Sequence, residues 1–412
     1  MTRFALLLIA LVCGCGGPVI VRDDGPRDEK APVAAKEKAN ESENAPNGDG
    51  PGDEDLPPVD TTELDPFFLE QMAKAHVPGA AVAVTRGGKL KWAKGYGLAN
   101  IEQNQPVTTD TLFMLASVSK PFVGVALLQL AEDPQRGFGL DADISTKLPF
   151  RVRHPRFPDT PITARMLAAH TSGLLDVNFG DYSRGDSPTS LREWLQAYVK
   201  DERNWSSWRP GTSFAYSNNG AALAGLVVES VAGMDLQTYS KKHIFDPLGM
   251  TETSWFLRDL DPSRIATPYV GVTNAFRPQA HYGYPEYPSG QLRTSVRQLA
   301  GFLNMIALRG ELDGKRVLST ASADEMRRPQ FPSIEPTQGF FVFYQEAYGK
   351  TRLLGHGGAD MGVSTEMYFD PETTAGFVLL TNGNVRMTYD AGPNAAMDAM
   401  CDKLIELAKT LP

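Results

Sequence analysis

Cysteine is scarce in this chain, with three residues in 412: Cys13, Cys15 and Cys401. Two of them sit at the extreme N-terminus. If that end is cleaved and Cys15 modified, only Cys401 remains and a disulfide framework is excluded. Histidine is also rare. The six copies are widely scattered, and neither H-E-x-x-H nor C-x-x-C occurs. No metal site is legible in that pattern and no cofactor is implied. A basic excess is absent as well: 40 Lys and Arg stand against 49 Asp and Glu, for a net charge of −9. That balance argues against nucleic acid as a main partner, because phosphate binding needs clustered cations. No internal repeat is visible.

What is present begins with "MTRFALLLIALVCGCGG". One Arg precedes an apolar run, Ala5 to Val12, that is too short to span a bilayer as a stable anchor and fits the h-region of a signal peptide. The run ends in V-C-G-C, which resembles a bacterial lipobox with Gly14 before the cut and Cys15 as the lipidated residue; Cys13 is the second candidate. Ordinary signal cleavage is the alternative. The expected organisation is a signal peptide over 1–14, a lipidated Cys15 with a linker over 15–60, and a folded domain over 61–412. The linker carries much of the net charge, with twelve acids and five bases between Pro18 and Asp60. It has almost no aromatics and cannot bury enough apolar surface to order itself, so it reads as a tether between membrane and domain. The expected location is the bacterial cell envelope.

The chain is 42% apolar, enough for one large domain or two smaller ones. "TELDPFFLEQMAKAHVPG" has helical spacing, stopped by Pro78-Gly79. Two β-rich runs flank Arg86-Gly87-Gly88, a hairpin signal. Helical patterns dominate from about 118 to 310. "ITARMLAAHTSG" reads as a short helix with Thr163 as N-cap, and His170 as a C-capping residue. Strands return at 351–356, 363–369 and 375–381, and a helix at about 395–407 closes the domain. Strands split by a helical insertion predict an α+β fold: one antiparallel sheet of about five strands built from both chain ends, flanked by helices, with a mostly helical second lobe. A cleft between the lobes is where a site is expected.

Three motifs carry chemistry. Ser117-Val118-Ser119-Lys120 is the only S-x-x-K in the chain. Spacing of three brings both side chains to one helical face, and a desolvated lysine can share the proton of a serine nucleophile. Tyr216-Ser217-Asn218 is the only Y-x-N. A phenol near an ammonium can act as acid or base, and Asn218 can bind a substrate amide; Ser217 or Asn218 also reads as a helix cap. Last comes "LLGHGGADMG", residues 353–362, with His356-Gly357-Gly358 at the end of the late strand pattern 351–356. Its G-H-G-G run would also suit an α/β-hydrolase oxyanion loop, but the G-x-S-x-G elbow of that fold is missing.

Together, Ser117-x-x-Lys120, Tyr216-x-Asn218 and His356-Gly357-Gly358 resemble the three boxes of the penicillin-recognising serine hydrolases. The branch most similar is that of class C β-lactamases, secreted D-alanyl-D-alanine carboxypeptidases and β-lactamase-type esterases. "VPGAAVAV", "LAAHTSGL", "PGTSFAYSNNG", "IFDPLGMTETSW" and "PSGQLRTSVRQLAGF" extend the likeness in order over about residues 66–410. The resemblance implies a β-lactamase/transpeptidase-like fold, Ser117 as nucleophile and Lys120 as its base. It implies Tyr216 as proton shuttle, and substrate contacts from Asn218, His356, Gly357 and Gly358. The oxyanion hole would be the backbone N–H groups of Ser117 and Ala359.

One departure bears on substrate. Many relatives carry Lys-Thr-Gly where this chain has His356-Gly357-Gly358, and Gly357 lacks the hydroxyl that helps hold a substrate carboxylate. Arg352, earlier on the strand, is a candidate to compensate. The expected activity is cleavage of an ester or amide in a small molecule or peptide through an acyl-serine, with weak β-lactamase activity. The alternatives are a D-alanyl-D-alanine carboxypeptidase, a true β-lactamase or a non-catalytic envelope binding lipoprotein. Oligomeric state is not legible in the sequence.

Overall fold

The computed structural model describes residues 59–272, 275–388 and 390–411. The expected signal peptide, Cys15 and nearly all of the expected linker lie outside the described residues. The first helix, α1 (Leu64–Ala75), buries Leu64, Phe68, Met72 and Ala75, the stripe that helical periodicity places on one face. It ends at His76, whose φ of 54° is left-handed, so this histidine is a helix terminator. Strands β1 (Gly79–Arg86) and β2 (Lys89–Asn100) follow. Arg86 pairs with Lys89 across a two-residue turn. Gly87 and Gly88 have φ of 59° and 77°, the pair of positive angles that a tight hairpin of this twist demands.

The main sheet has seven strands: those two, short β3 (Gln105–Pro106) and β4 (Phe343–Gln345), and then β5 (Leu353–Asp360), β6 (Val363–Phe369) and β7 (Gly376–Thr381). Its order is β4-β5-β6-β7-β1-β2-β3, antiparallel throughout. The five long strands come from both chain ends. β5 runs through the Gly357-Gly358 pair where the sequence pattern stops at 356. Glycine is a poor strand former, but continuous pairing of Leu354 to Asp360 with β6 overrides that preference.

Alternating side chains of β1 serve two cores. Ala80, Val82 and Val84 pack with α1 and the last helix, Ala391–Thr410; Ala81 and Ala83 face the helical side. That last helix begins before the expected 395. Asp390 caps it, and Pro393 falls in its first turn, where a missing N–H costs nothing. Its Cys401 is fully buried, and burial pushes the thiol well above its ordinary range. On the opposite side lie α2 (Lys120–Glu132), α3 (Ala164–Ala168), α4 (Asn218–Ala232) and α5 (Val296–Ala307). α5 packs directly on β1, β2 and β7, and Phe122 of α2 stacks on Phe302 of α5. The helical lobe also holds small two-stranded ladders, one of which, Phe113–Met114 with Arg293–Thr294, sits just before the Ser117 turn.

Candidate active site

Ser117 lies in a 3₁₀ turn, Ala116–Ser119, that feeds directly into α2 at Lys120. In such a turn, residues three apart eclipse. Lys120 Nζ accordingly stands 2.9 Å from Ser117 Oγ. Ala116 holds φ at 48°, a left-handed angle that costs a β-carbon residue energy and is kept only where neighbours enforce it. Those neighbours are visible: Leu115 N–H donates to Leu292 O at 2.8 Å, and Leu115 O accepts from Thr365 Oγ1 at 2.7 Å.

Lys120 is fully buried. It also donates to Asn218 Oδ1 at 2.7 Å and to the Ser289 carbonyl at 2.7 Å. Both of those oxygens can only accept. They claim two N–H bonds and turn the remaining direction of the amine toward Ser117 Oγ. A lysine held this way can give or take the serine proton without reorienting.

Asn218 begins α4 and Ser217 is its N-cap, accepting Gly220 N–H at 2.9 Å. A carboxylate absent from the sequence reading holds the turn. Asp176 accepts the backbone N–H groups of Asn218 and Asn219, at 2.6 and 3.1 Å, and the Ser217 hydroxyl at 3.1 Å. The Tyr216 ring lies between charged and aromatic neighbours. Lys120 Nζ is 5.0 Å from its centroid, and the His170 ring packs on it at 4.3 Å. His170 does end α3 in a left-handed conformation, φ 55°, as a C-capping residue does. Its ring has a further use: Nδ1 accepts the Ser217 N–H at 3.1 Å, so the imidazole braces the Tyr216-Ser217 turn.

The third motif runs along β5. A β-carbon on Gly358 would stand 2.6 Å from Leu115 O and 3.0 Å from Ser117 N. Glycine is therefore what lets the strand lie against the nucleophile turn. Ala359 comes next and lines the same cleft as Ser117, Tyr216, His356, Gly357 and Gly358, a cavity of ≈ 390 Å³. That volume suits a small ligand. His356 Nδ1 donates to Gly357 O at 2.6 Å, and its buried Nε2 has no partner among the described residues. Arg352 is not in the cleft. It is exposed, with its guanidinium 4.1 Å over the Tyr344 ring, so it does not replace the missing threonine hydroxyl.

Burial, then the Lys120 charge, lowers His356 to about 3 and holds His170 well below its ordinary 6.5. Both are neutral in the fold but take up a proton in the unfolded chain. For His356 the stability this contributes is complete above pH 6.5 and is lost as pH falls toward 3, with a slope of up to about 1.4 kcal/mol per pH unit inside that window; His170 acts in the same direction. Buried Glu286, raised to about 7, acts with the opposite sign, so the informative comparison is wild type against His356→Gln. We expect the urea midpoint of the wild type to fall more steeply from about pH 6.5 to 4.5. Parallel curves would show that His356 is protonated in the fold.

The sequence profile of the family described as Beta-lactamase matches residues 64–399. The chain is 24% identical over 324 residues to Protein flp of Staphylococcus aureus strain MRSA252, covering 78% of this chain and 63% of that protein. It therefore spans somewhat less than two thirds of such relatives. Among solved structures, the octameric penicillin-binding protein homologue from Pyrococcus abyssi matches with a TM-score of 0.69 and 25% identity, covering 84% of this chain and 78% of that one. D-amino acid amidase from Ochrobactrum anthropi SV3 matches with a TM-score of 0.67 and 23% identity, covering 85% of this chain and all of the other; that likeness concerns the fold.

Proposed function

We propose that this chain, which belongs to the beta-lactamase family, hydrolyses an ester or amide through an acyl-serine intermediate on Ser117. One observation carries the reading: Lys120 Nζ faces Ser117 Oγ at 2.9 Å while Asn218 Oδ1 and Ser289 O take its other hydrogens. In the first step Ser117 Oγ bonds to the acyl carbon and its proton passes to Lys120. Tyr216 returns a proton to the leaving alcohol or amine as the scissile bond breaks. Water then attacks the acyl-serine with Tyr216 drawing off its proton, and the acyl–Oγ bond breaks as Lys120 returns the proton to Ser117. Asn218 orients the substrate, and the N–H groups of Ser117 and Ala359 take the developing oxyanion; one such donor is typically worth about 10² to 10³ in rate.

The substrate reading is esterase- or peptidase-like, in the branch that includes β-lactamase-type esterases and D-alanyl-D-alanine carboxypeptidases. Gly357 and the displaced Arg352 support weak turnover of β-lactams, since neither offers a grip on a carboxylate. The lipobox-like run supports export and anchoring to the cell envelope through Cys15. A fluorophosphonate probe tests the chemistry: its phosphorus bonds to a nucleophilic serine oxygen and fluoride leaves. Intact-mass analysis should show one adduct on the wild type and none on Ser117→Ala. Equal labelling of the two would remove Ser117 from the mechanism, and no labelling of the wild type would favour a binding protein.

A further inference from the structure

The strand that lines the cleft has one open edge. β4 pairs with β5 only over Leu353–Gly355, so His356 to Asp360 are left for a substrate. Consecutive residues of β5 face opposite sides of the sheet. The missing side chain of Gly358 faces Ser117, and that of Gly357 faces Glu366, its cross-strand partner on β6. A β-carbon on Gly357 would stand 2.7 Å from Glu366 Oε2. Glycine at 357 thus leaves room for the carboxylate on this wall of the cleft, which Glu366 lines together with Ser117 and Tyr216.

The carboxylate is built in. Its side chain is 5% exposed and paired with Arg386, whose Nε donates to Oε1 at 2.8 Å. Burial pushes the Glu366 carboxyl up, and the guanidinium opposes that rise. Arg386 is itself largely engaged: Nη1 donates to Asn394 Oδ1 at 3.0 Å, and Nη2 to Tyr348 OH at 2.8 Å and Asp398 Oδ1 at 2.7 Å. Arg386 also lines the cleft, but Glu366 and Asp398 share its charge and four of its N–H groups are engaged among the described residues, so no bidentate fork is left for a substrate anion, while Glu366 Oε2 faces Gly357.

We infer that Glu366 sets specificity, making the subsite beside Gly357 an acceptor for cations, so that the preferred substrates carry an ammonium group within one or two carbons of the scissile carbonyl, as amino-acid esters and amides do. A carboxylate-bearing substrate would place like charge against Glu366 and is disfavoured. This inference rests on the acyl-serine reading.

The test compares p-nitrophenyl esters of β-alanine, butyrate and succinate, similar in reach but cationic, neutral and anionic. For the wild type we expect kcat/KM to fall in that order. Glu366→Gln, which keeps an acceptor for Arg386, should shrink the cation-to-anion ratio roughly 10- to 100-fold, the scale of one charge-assisted hydrogen bond. Gly357→Ala should shrink it in the same direction by crowding Oε2 while leaving the Glu366 charge in place. An unchanged ratio in both variants, or wild-type preference for the succinate ester, would overturn the inference. Fluorophosphonate labelling of Ser117 in the wild type is the control, and its failure would count against the hydrolase reading alone. In that case calorimetric binding of the three corresponding amides decides the subsite, with the same order expected and a reversed or flat order overturning it.

Discussion

Lys120→Met is expected to lower kcat for ester hydrolysis by roughly 10³-fold, within the 10² to 10⁴ that a positioned proton-transfer group supplies, with little change in KM. Methionine nearly matches lysine in length and suits a buried site, so packing around a fully buried residue is retained. What is lost is the group 2.9 Å from Ser117 Oγ that can take its proton. The Ser289 carbonyl and Asn218 Oδ1 lose a donor as well, which should cost about 1–3 kcal/mol for each group left unsatisfied. Rate and stability therefore have to be read separately. A thermal midpoint fixes the folded fraction, and single-turnover acylation well below it reports the chemistry. Because the interaction acts on the transition state, kcat and kcat/KM should fall together. Lys120→Ala opens a cavity, and small alkylamines in solution should restore part of its rate. If the folded Met variant acylates at the wild-type rate, the serine proton leaves by another path and Lys120 only holds the site's shape.

Legibility in the sequence followed the distance over which each contact acts. The hairpin at Gly87-Gly88 was readable because two adjacent glycines supply both positive φ values. The Ser117–Lys120 contact was readable because it spans three residues of one turn. The end of β5 was not: whether Gly357 and Gly358 extend a strand depends on pairing with β6, which no local propensity records. Ser289, 169 residues from Lys120, contributes a carbonyl, an atom that every residue has. Glu366 and Asp176 carry common side chains with no spacing signal, and each gains meaning only from what it faces. His170 was half legible. Its helix-ending position followed from Gly173 three residues on, whereas its ring against Tyr216 is a product of α3 and α4 packing. The left-handed Ala116 had no signal at all, since alanine gives no hint of positive φ.

Asp176→Ala should cost about 2–3 kcal/mol of stability and lower kcat about 10²-fold, although Asp176 touches none of the groups proposed to react. The stability term follows from its partners. Its two oxygens take the Asn218 and Asn219 N–H groups and the Ser217 hydroxyl at the start of α4. Such N–H groups have no intrahelical acceptor, and the helix dipole favours a negative charge there. Asp176 is only half-buried, so water recovers part of the loss and keeps the figure below a full buried-acceptor penalty. The rate term follows from what α4 carries at that end. Asn218 Oδ1 orients Lys120 Nζ at 2.7 Å, and Tyr216 is two residues before. A shift of about 1 Å in this turn moves the amine off line with Ser117, and misplacement of that size costs on the order of 10² in rate. Asp176→Asn keeps an acceptor without the charge, and should recover most of the rate and less of the stability. The fluorophosphonate labelling rate at a temperature where both variants are fully folded separates positioning from folding. If Asp176→Ala labels as fast as wild type under those conditions, the turn is held by Ser217 and His170 alone, and Asp176 is a helix cap without influence on the site.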